Sequence, residues 1–129
     1  MAAIGLAQLK YLDQDNAYRR QLAEWYRAQL GNASALRLIP HALNVESATH
    51  LFQLRVANRN ELMLALNKHD VFPGVHYRDN TEYSMYRYAK GTCPEVARAS
   101  EELISLPLHL RMSKEDVDLI SDLVLRYAR

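Results

Sequence analysis

The chain has 129 residues, 49% hydrophobic and 24% charged, with a formal net charge of +1. That length fits one domain, residues 1–129, with enough core to fold without staples. Near-balanced charge excludes the footprint of a nucleic-acid or anionic-membrane binder, and no run of about 18 apolar residues is present to span a bilayer. The single cysteine, Cys93, has no internal disulfide partner. This suits a reducing compartment. The N-terminus, "MAAIGLAQLKYLD", has no basic stretch ahead of an apolar core and so does not read as a signal peptide. The expected location is the cytoplasm.

From Ala2 to about Leu30 there is no proline, and Leu9, Leu12, Leu22, Trp25, Tyr26 and Leu30 recur at helical spacing. The pattern predicts one long helix, with any kink midway, ended at Gly31-Asn32. Its first turns, "AAIGLAQL", have almost no polar face, so they need an apolar neighbour that a small domain hardly supplies. An irregular stretch from Pro40 to Ala48 precedes "THLFQLRV". There Phe52, Leu54 and Val56 alternate with Gln53 and Arg55, as in a half-buried strand.

Asn58 with Glu61 predicts a capping box for a helix whose inner face is Leu62, Ala65 and Leu66. Val71 to Tyr77 reads as a short strand that Pro73-Gly74 confines to an edge or a bulge. Asp79 or Asn80 is placed to cap a short helix from Thr81 to Lys90, stopped by Gly91. Pro94 suits the first turn of a helix running to about Ile104. "SLPLHL" holds Pro107 and is at most an edge strand or an extended segment. Ser113 and Asp116 form a capping box for a last helix lined by Val117, Ile120, Val124 and Tyr127. The expected class is α+β: a long N-terminal helix, then a small two- to three-stranded sheet with helices mainly on one face.

The five histidines (His41, His50, His69, His76 and His109) share no H-x-x-H or H-E-x-x-H spacing, and no zinc site is expected. Phosphate-loop, dinucleotide and nucleophile-elbow motifs are also missing. Glu101-Glu102 and Glu115-Asp116 are adjacent on helices and so point apart, as solvated faces do. Cys93 beside a helix start reads as structural. Lys10, Lys68, Lys90 and Lys114 sit on polar edges or a helix end, unlike a Schiff-base lysine.

What remains is the segment from Pro73 to Pro94, rich in tyrosine and basic side chains. His76, Tyr77 and Arg78 leave a strand end together. His and Arg donate to phosphate or sugar oxygens, and Tyr donates and stacks. Tyr83, Tyr86 and Tyr88 divide evenly between that role and rings tucked under the loop with their phenols in water.

"AAIGLAQL" with "YRRQLAEWYRAQL", then "HLFQLRV", "NRNELMLALNKHDVFPGVHY", "CPEVARASEELISLPLH" and "MSKEDVDLI" occur here in one order. In that order they resemble the C-terminal part of DegT-type (DegT/DnrJ/StrS) sugar aminotransferases, over nearly the whole chain. The resemblance implies the small domain of the aspartate-aminotransferase fold. It implies pyridoxal phosphate (PLP) as the cofactor of the full-length enzyme, with the cofactor lysine in a large domain outside this chain, so that no cofactor is expected on this chain. It implies a nucleotide-sugar substrate, with His76 near the sugar, and an N-terminal helix packed on the large domain and near a partner, so that a homo-oligomer is expected. One departure stands out. "RDNTEYSMYRY" replaces the Pro- and His-containing stretch that follows "GVHY" in many members, so sugar contacts carry over to His76 and Tyr77, and Arg78 joins them on its own chemistry. Alone, the chain is expected to be inactive. The alternatives are a stand-alone binding or interaction module and one chain of a split enzyme.

Overall fold

The computed structural model describes residues 2–40 and 44–129. His41 and the start of the irregular stretch after Pro40 lie outside the described residues. The elements run α1 (Ala2–Leu9), α2 (Leu12–Leu30), β1 (Leu36–Leu38), β2 (Phe52–Val56), α3 (Arg59–Asn67), α4 (Pro94–Glu102), β3 (Leu103–Leu106) and α5 (Lys114–Tyr127). The three strands form one antiparallel sheet in the order β1-β2-β3. This is the α+β architecture expected.

Alternation along β2 decides what each sheet face does. Phe52, Leu54 and Val56 are buried and lie opposite Leu36, Leu38, Ile104 and Leu106. That face meets Leu22, Tyr26 and Leu30 of α2, Leu62 and Leu66 of α3, and Val117, Ile120 and Val124 of α5 in one continuous core. Burying each such side chain fully contributes about 1.5–3 kcal/mol. The Tyr26 ring stacks on Phe52 with centroids 4.8 Å apart, and its hydroxyl donates to the Pro107 carbonyl over 3.0 Å. Tyr18 donates to the Met112 carbonyl at 2.7 Å, so α2 is sewn to the segment between β3 and α5 at two points. The opposite face is polar: Gln53 faces Ser105, and Arg55 lies between Arg37 and Leu103. Arg55 pairs with Glu102 of α4 at 2.8 Å.

Several local expectations need correction. The first helix breaks at Lys10-Tyr11, well before its midpoint, and α1 buries no residue within the chain. Asn58 occupies the cap position of α3 but does not cap it. Its amide instead donates to the Tyr127 carbonyl, and its oxygen accepts from the Arg129 N–H, both at 2.9 Å. Two bonds to the chain's other end win over one to a local N–H. The edge strand over Val71–Tyr77 reduces to a single bridge between Gly74 and Ser105, because Pro73 cannot extend the ladder. The helix over Thr81–Lys90 is two 3-10 turns, Asn80–Glu82 and Ser84–Ala89, in which the tyrosine side chains stay exposed. With no buried face, nothing holds the segment in a regular α-helix. The helix from Pro94 stops at Glu102, and Leu103–Leu106 pairs with β2 as a strand.

The end of the chain behaves as its sequence predicts. The Ser113 hydroxyl accepts from the Asp116 N–H and the Asp116 carboxylate accepts from the Ser113 N–H, the reciprocal capping box. One turn on, the Lys114 ammonium and then the Gln29 amide hold the exposed Asp118 carboxyl below the usual carboxylate range.

Candidate functional site

The bridge at Gly74 pairs the chain with the free edge of β3 and sets His76 down beside that strand. Gly74 and Ser105 exchange both backbone hydrogen bonds, at 2.9 and 2.8 Å. The imidazole lies directly over Gly74, where an added Cβ would stand 2.5 Å from the ring. His76 Nδ1 is 3.0 Å from the hydroxyl of Ser105, which is only 3% exposed. The Gln53 amide donates to the His76 carbonyl and also reaches the Ser105 hydroxyl at 3.5 Å. The Tyr77 ring meets the imidazole edge-on, with centroids 5.2 Å apart at 88°, and is itself 73% exposed. The peptide bond between the two residues is cis.

Beyond Tyr77 lies a cleft of about 660 Å³ between the start of α3, the 75–83 segment and α4. Its polar lining includes Arg59, Tyr77, Arg78, Asp79, Glu82 and Tyr83. Asp79 is buried because it caps the turn, accepting from the Thr81 N–H at 2.8 Å. Glu82 balances two cations, Arg78 at 3.7 Å and Lys90 at 3.3 Å. Arg59 spans from α3 to the Leu103 carbonyl at 3.2 Å, while its Nε is buried without a hydrogen-bond partner. Donors and acceptors are thus mixed, with exposed phenol rings at the edge. This suits a polyhydroxylated or phosphorylated ligand better than a purely apolar one.

Of the three residues singled out from sequence, the structure brings Tyr77 and Arg78 to the cleft. His76 stands behind Tyr77, against Ser105 and Gln53 rather than on the cleft wall. Sequence reasoning missed Arg59, Gln53 and Ser105. The signal for Gln53 was its outward position in β2. The pairing that brings it to Ser105 spans 52 residues and has no local trace.

Among the described residues no group of three or more metal-ligating side chains comes together, and no helix is long and apolar enough to cross a membrane. A carbonyl cofactor would need a lysine free to form an imine. The Lys10 ammonium lies 4.8 Å from the centroid of the Tyr11 ring, Lys114 holds Asp118 at 2.7 Å, Lys90 holds Glu82, and Lys68 is exposed at the end of α3. None lines the cleft. The described residues therefore do not fit covalent cofactor attachment.

Comparison with known proteins places this arrangement in a class. TlmJ, an aminotransferase from Streptoalloteichus hindustanus, is 29% identical with a TM-score of 0.89, over 97% of this chain and 35% of that one. Spr1654 of Streptococcus pneumoniae, assigned as a sugar aminotransferase and solved in its PMP-form, is 27% identical with a TM-score of 0.88, over 98% of this chain and 34% of that one. PseC of Helicobacter pylori, an aminotransferase of pseudoaminic acid biosynthesis, is 25% identical with a TM-score of 0.84, over 96% of this chain and 35% of that one. The chain therefore has the fold of part of an aminotransferase and spans about a third of the length of the structures it matches. Residues 1–125 match the DegT/DnrJ/EryC1/StrS aminotransferase family, and the chain belongs to that family of PLP-dependent enzymes.

Proposed function

We propose that this chain is the small-domain part of a PLP-dependent aminotransferase that moves an amino group from an amino acid, glutamate above all, to a nucleotide-linked keto-sugar. The carrying observation is the family match over residues 1–125. The cleft supports the reading. Arg59 and Arg78 bring guanidinium groups to its lining, which suit phosphate or hydroxyl oxygens, and the exposed Tyr77 and Tyr83 rings offer flat apolar surface to a sugar or base. The cofactor supplies the electron sink for the transfer. This chain's part is to bind and orient the sugar. Hence the 129-residue chain alone is inactive, and the working enzyme is a cytoplasmic homo-oligomer that takes its cofactor lysine from other residues.

The test is amino transfer by a complete enzyme in which this chain forms the C-terminal third. Incubation with glutamate and a panel of nucleoside-diphosphate keto-sugars is expected to give an amino-sugar nucleotide detectable by mass spectrometry. An enzyme that loads PLP and takes the amino group from glutamate but aminates none of the panel contradicts the substrate assignment. Activity from a separately encoded cofactor domain mixed with this chain would favour a split enzyme.

A further inference from the structure

The polar face of the sheet holds a three-residue arrangement whose hydrogen-bond directions can be worked out. Gln53 presents its amide nitrogen to the His76 carbonyl, an acceptor only. Turning the amide over would set two oxygens against each other, so the nitrogen stays where it is. The same nitrogen is the group that reaches the Ser105 hydroxyl oxygen, at 3.5 Å. Ser105 therefore accepts from Gln53 and has one proton left to give. At 3% exposure that proton cannot go to bulk water, and His76 Nδ1, 3.0 Å away, is the acceptor in reach. If Nδ1 carried the hydrogen instead, the buried hydroxyl would receive two donors and its own proton would have no partner, which is costly.

We infer that Gln53 and Ser105 are positioning residues that lock His76 in the Nε2–H tautomer, so that Nε2 acts as a hydrogen-bond donor to a substrate oxygen and not as a proton acceptor. The inference rests on reading this strand end as the sugar side of an active site. Gly74 is part of the device: without a Cβ it leaves room for the Cε1 edge of the imidazole, so that the ring can reach Ser105. Donation from Nε2 selects for an acceptor such as a ring hydroxyl, a carbonyl or a phosphate oxygen at that point of the ligand.

The tautomer is readable without substrate, from two-bond ¹H–¹⁵N spectra of the histidine-labelled chain at about pH 8.5, above the ordinary imidazole range. His76→Asn assigns the signals. The expected result is a single Nε2–H pattern for His76, with widely separated nitrogen shifts, while exposed His50 and His109 show averaged values. Ser105→Ala and Gln53→Met are expected to move His76 toward those averaged values, and Ser105→Thr, which keeps the hydroxyl, to retain the locked pattern. Should Ser105→Ala not fold, Gln53→Met at its less buried position decides the matter. An Nδ1–H pattern or averaged shifts in the unaltered chain overturns the inference. So does a locked pattern that survives in the folded variants lacking the hydroxyl or the amide. Failure of a complete enzyme to aminate keto-sugars would leave these spectra unchanged, so the two readings fail separately.

Discussion

Replacing Gly74 with alanine tests how His76 is held. The new Cβ would stand 2.5 Å from ring carbon Cε1 and 3.2 Å from Nδ1. Ordinary carbon contacts are about 3.5–4.0 Å, so the ring must retreat by about 1 Å. That stretches its 3.0 Å contact with Ser105 beyond hydrogen-bonding reach. Losing the bond costs about 0.5–1.5 kcal/mol, and leaving the buried hydroxyl unpaired raises the cost toward about 3 kcal/mol. Restriction of the unfolded chain returns about 0.4–1 kcal/mol, so that with the hydroxyl left unpaired the net loss is about 2 kcal/mol. For a domain of this size the melting temperature should fall by roughly 4–8 °C. In a His76→Ala background the obstructing ring is gone, and the same glycine substitution should be neutral or slightly stabilising. The assay is a double-mutant cycle by thermal and urea denaturation. An equal loss in both backgrounds would refute the reasoning, because the cost would then lie in the Gly74–Ser105 bridge and not in the imidazole.

Burial, and less strongly the Asp116 charge, pushes the Tyr26 hydroxyl far above its ordinary range. Its raised folded value means stability is whole below about pH 10 and falls above it, where only the unfolded chain releases the proton. Tyr26→Phe should cost about 1 kcal/mol at neutral pH and flatten that alkaline decline; a decline unchanged in the variant would count against it. Ile4, Leu6 and Leu9 are 61%, 71% and 61% exposed on α1, so the chain should self-associate through them. Sedimentation should show Leu6→Glu shifting the chain toward monomer, and a monomer at tens of micromolar before any substitution would remove the prediction. Added PLP followed by borohydride should leave no stoichiometric adduct at any one of Lys10, Lys68, Lys90 or Lys114, and mass spectrometry locating one would overturn the reading of those side chains.

Core elements were legible because their patterns are local. Phe52, Leu54 and Val56 announce β2 by alternation, and Ser113 with Asp116 announces the start of α5 by a box closed within one turn. The strand at Leu103–Leu106 was not legible as such, because helical spacing runs on to Ile104 and only pairing with β2 decides otherwise. Asn58 shows the same limit. Its spacing to Glu61 fits a capping box, but the competing partners are Tyr127 and Arg129, brought near only by the finished fold. At the site, the sequence singled out His76, Tyr77 and Arg78 by chemistry and resemblance. It did not reveal that Tyr77 and Arg78 line the cleft while His76 is fastened to β3, since that division comes from the Gly74–Ser105 bridge.

The most direct test of the central claim, that this chain supplies the sugar side of an aminotransferase site, is single-turnover spectroscopy of the two half-reactions in a complete enzyme carrying His76→Ala. A lost hydrogen bond to the substrate costs about 1–3 kcal/mol, so the sugar half-reaction should slow about ten- to a hundredfold while the amino-acid half-reaction stays nearly intact. An equal slowing of both half-reactions, in step with a lowered melting temperature, would contradict the claim and leave His76 as a residue that only holds the strand end in place.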